Sequence, residues 1–103
     1  MRERWFGDWE KQHNSKYQKV WDEDVLDAEH KKFNVESAQT VQDRTISLIH
    51  DLETQHTGKK ILLVSHGDAL QIMQTGFLSK SPKVHRELPH LNTAEIRELT
   101  PEV

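Results

Sequence analysis

The segment Ile61-Leu62-Leu63-Val64-Ser65-His66-Gly67 constrains this chain more than any other. Its unbroken aliphatic run reads as a strand covered on both faces, the kind found in parallel sheets. The strand delivers a histidine, then a glycine, to the start of a helix. That helix directs free main-chain N–H groups and the positive end of its dipole at the strand's end, which suits an anion. No other residue of the 103 looks like the nucleophile that His66 would assist, so the sequence describes half of an active site.

Periodicity places the neighbouring elements. Ala38, Val41, Thr45, Leu48, Ile49 and Leu52 share one face at helical spacing, which predicts a helix over 37 to about 56. Ser37 is its N-cap and Gly58 its stop. A second helix, roughly 68–78, offers Leu70, Ile72, Met73 and Phe77 for burial. Residues 79–89 form a loop with Pro82 and Pro89, and 94–99 alternate as a last, edge-like strand. The order is helix, strand, helix, strand, an α/β pattern with a partly parallel sheet. Two strands seldom make a stable sheet, so a central strand is expected to be missing.

The first third is different. Residues 1–9 mix aromatics with charges, and 10–34 are polar with scattered anchors Tyr17, Val20, Trp21, Val25, Leu26 and Phe33. Apolar residues make up 34% of the chain, below the usual ~45–50%. The core is therefore expected in the second half. Trp5, Phe6 and Trp9 read as packing residues of a loop.

Composition excludes several functions. The net charge of −3 comes from interleaved signs, which argues against a nucleic-acid footprint. Without cysteine there is no disulfide framework and no thiolate zinc site. No apolar run approaches the ~20 residues of a membrane span and no signal peptide opens the chain, so a cytoplasmic protein is expected. His13, His30, His50, His56, His85 and His90 lack metal-ligand spacing, and no metal is expected. Lys80, Lys83 and Arg86 read as solvated surface. Ser65, His66 and Asp68 do not make a hydrolase triad, because strand neighbours point to opposite faces.

Four blocks, in order, carry a resemblance to a known family. They are Arg2-Glu3-Arg4-Trp5-Phe6-Gly7; Glu36-Ser37 with Arg44 in the helix they open; the strand ending Ser65-His66-Gly67; and Leu91-Asn92-Thr93-Ala94-Glu95-Ile96. Together they resemble the back portion of the histidine phosphatase superfamily, the phosphoglycerate-mutase-like fold. The resemblance implies a partial three-layer α/β sandwich lacking its front strands. Residues 1–35 would form a polar, aromatic-anchored segment like a substrate cap, and 36–103 the helix-strand-helix-strand core. It also implies phosphoryl transfer through a phosphohistidine, without metal or cofactor, on a phosphorylated small molecule or phosphate. His66 matches the second pocket histidine, which donates to the phosphoryl oxygens, with Gly67 beside it in the binding motif. Glu3 matches the general acid for the leaving oxygen, and Arg4 a substrate-contacting position. Arg44 reads as structural, a helix-face cation or a carboxylate's partner.

One departure shapes the functional expectation. The family's nucleophile sits in an Arg-His-Gly motif near the front of the domain, and here the only His-Gly pair is His66-Gly67. Met1 stands where the family often has an aliphatic residue, which fits an alternative start, a truncation or an artificial boundary, and the front portion's nucleophile and arginines are not among these residues. The first reading is a phosphomonoesterase or phosphomutase chain inactive by itself. The alternative is a non-catalytic anion-binding or protein-interaction remnant, in which the exposed flank of the strand pairs with another chain, in a dimer or a heteromeric complex. A third is a marginal fold with no function of its own. Losing a central strand would remove burial worth about 25 cal/mol per Å² from a net stability of roughly 5–15 kcal/mol.

Overall fold

Every regular element among the described residues is helical. The computed structural model describes residues 2–10, 14–89, 91–92 and 95–99. In chain order come a 3-10 turn at Gly7–Trp9, helix α1 (Asn14–Leu26) and a 3-10 turn at Lys32–Asn34. Helix α2 (Ala38–Gln55), helix α3 (Gly67–Phe77) and a 3-10 helix at Pro82–Glu87 follow.

This corrects the α/β expectation. Residues 61–66 and 95–99 carry no ladder among the described residues, so the partial three-layer sandwich is not the fold seen here. Leu62 and Val64 are 70% and 78% exposed, and Ile96 is 79% exposed. The physical reason is that a strand exists through its ladder; β-propensity alone does not make one without a neighbour to pair. Ala94, first residue of the expected last strand, lies outside the described residues, as do Met1, His13, His90 and Thr93.

The helices follow their sequence signals closely. Ser37 caps α2, its Oγ accepting the Thr40 N–H at 3.1 Å. The apolar face of α2 is buried at Ala38, Val41 and Thr45, whereas Leu48, Ile49 and Leu52 are only half-buried. Helix α3 ends in a Schellman arrangement: the Ser79 N–H bonds Gly76 O at 3.2 Å and the Lys80 N–H bonds Thr75 O at 2.8 Å. That motif puts Ser79 in the left-handed region, at φ 55.

The core has two parts. Ala38 and Val41 of α2 meet Ala69 and Ile72 of α3. Their small side chains let the helices approach closely, and at Gly76 a Cβ would lie 2.5 Å from Ile46 Cγ1. The other part lies in the first half, whereas the core was expected in the second: Phe6, Val20 and Val35 cluster there, with Trp9, Tyr17 and Phe33 packed against them. Phe6 stacks on Tyr17 with ring centroids 4.2 Å apart. Gly7 permits this approach, because it has φ +52 and a Cβ would overlap the carbonyl oxygens of Phe33 and Asn34.

Helix α3 occupies the centre that a strand was expected to fill. Its polar residues are buried along with its apolar ones, and each finds a partner. Gln71 donates to Leu88 O (3.2 Å) and accepts from Arg86 (2.7 Å). Gln74 accepts from Arg97 (3.0 Å), and Thr75 Oγ1 accepts from Gln42 of α2 (3.0 Å). Pairing of this kind makes a polar helix face compatible with burial.

A glycine at C′ adopts the left-handed conformation without the Cβ penalty. Ser79→Gly is therefore expected to raise stability by about 1 kcal/mol, read as a higher urea midpoint at an unchanged denaturant slope.

Candidate functional site

Glu3 ends at the start of α3. Its Oε1 accepts the N–H groups of Ala69 and Arg4, both at 2.8 Å, and its Oε2 accepts the Asp68 N–H at 3.2 Å. The first turn of a helix has N–H donors without intrahelical partners, and its dipole favours a negative charge there. His66 is the N-cap of the same helix, with extended backbone at φ −125 and ψ 164, and its imidazole makes no cap bond. The ring is exposed and Gly67 half-buried. Three of the four residues singled out from sequence thus meet at one helix end.

The fourth, Arg4, turns inward. None of its side chain is exposed. Nη1 and Nη2 bond the two oxygens of Asp24 at 2.7 and 2.8 Å, Nη1 also reaches Asp68 Oδ2 at 3.2 Å, and Nε donates to Glu36 O at 2.9 Å. In this arrangement no surface of the guanidinium is open to a ligand.

Two histidines complete this buried cluster. Both ring nitrogens of His85 face acceptors, Pro82 O at 2.9 Å and Asp68 Oδ1 at 3.0 Å. His30 accepts the Lys32 N–H on Nδ1 at 3.2 Å, which leaves Nε2 to donate to Asp24 Oδ1 at 2.7 Å. Arg4 thus bridges Asp24 and Asp68, and His85 holds the second oxygen of Asp68. Burial works against the charged Asp68 carboxylate, but His85 and Arg4 outweigh it and hold the group below the ordinary carboxylate range. Burial likewise works against the Arg4 charge, and the bonds and charges of Asp24 and Asp68 raise it above its usual value.

A second ionic group lies closer to the surface. Glu36 pairs with Arg44 (2.9 Å) and Arg2 (3.1 Å) and accepts the Trp5 N–H (3.2 Å). Partial burial opposes its charge, and the bonds from Arg44 and Arg2 prevail, lowering its pKa. Arg44 is thus a carboxylate's partner, one of the two structural roles read from sequence. Phe6 and Trp9 pack as expected, whereas Trp5 is 53% exposed. Lys80, Lys83 and Arg86 are exposed, as read from sequence, and Arg86 also lies over the Trp21 ring, 3.7 Å from its centroid.

Sequence reasoning missed Asp24, His30 and His85, and weighed Asp68 only for a triad. Arg4 is 20 residues from Asp24 and 64 from Asp68, beyond the reach of any local pattern. The one available signal was the position of Asp68 in the first turn after Ser65-His66-Gly67. Among the described residues no group of three or more His, Cys, Asp or Glu side chains is arranged to hold a metal ion, and no helix is long and apolar enough to cross a membrane. A cleft of about 390 Å³ lined by Gln42, Asp43, Ile46, Ser47, His50 and Gly76 touches none of the four predicted residues.

Comparison with known families finds that the model of the histidine phosphatase superfamily (branch 1) matches residues 1–102. No curated protein and no solved structure matches the chain.

Because the native value of Asp68 is depressed, its contribution to stability is complete above the unfolded carboxylate value near ~4 and is lost as pH falls through the folded value. Asp68→Asn removes from a buried cluster the carboxylate that Arg4 and His85 share. It is expected to cost about 3–5 kcal/mol at pH 7 and to flatten the acid limb below about pH 4. Urea midpoints measured from pH 7 to 2 check both effects.

Proposed function

The chain belongs to the histidine phosphatase superfamily (branch 1), and from that premise we propose that it serves phosphomonoester hydrolysis or phosphoryl transfer at the N-terminal end of α3. His66 and the Gly67 N–H would meet the phosphoryl oxygens, where the helix dipole also favours an anion. Glu3 would protonate the leaving oxygen as general acid. The substrate is a phosphorylated small molecule, and the step needs neither metal nor cofactor.

One observation carries this reading. Glu3, far from residue 66 in sequence, bonds the Asp68 and Ala69 N–H groups of the helix that His66 caps. The residue matching the family's acid thus adjoins the residue matching its phosphate-binding histidine. Contact of Arg4 with a substrate's second acidic group would first require Asp24 and Asp68 to release it, so the reading rests on Glu3, His66 and Gly67.

Covalent transfer also needs a histidine nucleophile and cations for the equatorial phosphoryl oxygens. No Arg-His-Gly occurs in this sequence, so turnover by these residues alone is expected to be negligible. Adding a front segment bearing Arg-His-Gly in trans should yield an acid-labile, base-stable phosphohistidine. No labelling with the complement present would count against the reading, and clear hydrolysis of an aryl phosphate by the unsupplemented chain would overturn its inactivity.

The exposure of Leu62, Val64 and Ile96 favours a second reading, a non-catalytic module whose apolar segment is covered by another copy of the chain. That reading expects a dimer by light scattering; a monomer at high concentration speaks against it.

A further inference from the structure

Arg4 and Asp68 are joined twice. Their side chains form a buried ion pair at 3.2 Å, and their main-chain N–H groups converge on one carboxylate, that of Glu3. We propose that Asp24 and His85 are positioning residues for Glu3: by locking the side chains of Arg4 and Asp68, they hold two main-chain donors where the Glu3 carboxylate stands at the α3 end capped by His66. This deepens the proposed function and rests on its reading of Glu3 as the general acid.

The helix dipole alone draws a carboxylate to the α3 terminus without setting its orientation. Orientation comes from the donors, and here their positions are determined from below. All three guanidinium nitrogens of Arg4 are engaged, two by Asp24 and one by Glu36 O. Asp68 uses one oxygen for Arg4 and the other for His85, which is anchored in turn on Pro82 O. The side chains of Arg4, Asp24 and His85 are wholly shielded from solvent, and that of Asp68 is 5% exposed. With both side chains immobilised, the main chain at 4 and at 68 is held at a constant spacing, and Glu3 bridges it. Catalytic groups must be held to within about 0.5 Å by such supporting bonds.

Amide hydrogen exchange and amide proton shifts of the full chain test this, with Glu3→Gln as the reference for a lost carboxylate. In Asp24→Asn and His85→Gln, the amide protons of Arg4, Asp68 and Ala69 should move upfield toward their Glu3→Gln positions. They should also exchange about tenfold faster, as expected for a lost charge-assisted bond, while amides in the middle of α2 stay protected. Unchanged shifts and exchange in folded variants overturn the proposal. Protection lost equally in α2 also overturns it, because the cluster then serves the fold as a whole. If Asp24→Asn does not fold, His85→Gln decides alone; unfolding of both counts against the proposal. No readout involves a phosphoryl group. The expected amide changes without a phosphohistidine would remove the function and leave the positioning, and the opposite result would do the reverse.

Discussion

The pairing of Arg4 with Asp24 and Asp68 is the constraint on which the rest of this structure depends. A guanidinium withdrawn from water is tolerated only if carboxylates and hydrogen bonds replace its hydration. Here the replacements come from α1, from α3 and, through His85, from the Pro82–Glu87 helix. Residues distant in sequence therefore have to assemble around one cation. A chain with modest apolar content thereby gains a polar hub in addition to its two small hydrophobic clusters.

This hub explains the form of the candidate site. The strand-to-helix turn suggested an anion site made by a helix end and an imidazole. The helix end is present, with the imidazole exposed, but its first-turn donors already hold the carboxylate of Glu3. Acid and histidine are neighbours because the N-terminal segment is fastened beneath α3, not because they lie near one another in sequence.

What could be read from sequence was local. Ser37, the spacing of Ala38, Val41 and Thr45, and the turn after His66 placed α2 and α3 within a residue or two, since capping and helical periodicity act over one or two turns. Arg44 was legible as a carboxylate's partner for the same reason: Glu36 is eight positions earlier, where α2 begins. Residues 61–64 misled because β-propensity describes fitness for a pleated surface and does not supply the second strand. The Arg4–Asp24, Arg4–Asp68 and His85–Asp68 contacts left no trace in any window, because each depends on the chain returning over 17 to 64 residues.

The exposed aliphatic stretch at 61–64 has a consequence for the chain's colloidal behaviour. A short, uncharged, aliphatic segment without proline is cohesive toward its own kind. Lys59 and Lys60, placed immediately before it and both exposed, serve as gatekeepers whose mutual repulsion between molecules discourages stacking. Their protection is Coulombic, so it weakens as added salt shortens the Debye length. Dilute electrolyte is accordingly the medium in which this polypeptide stays dispersed.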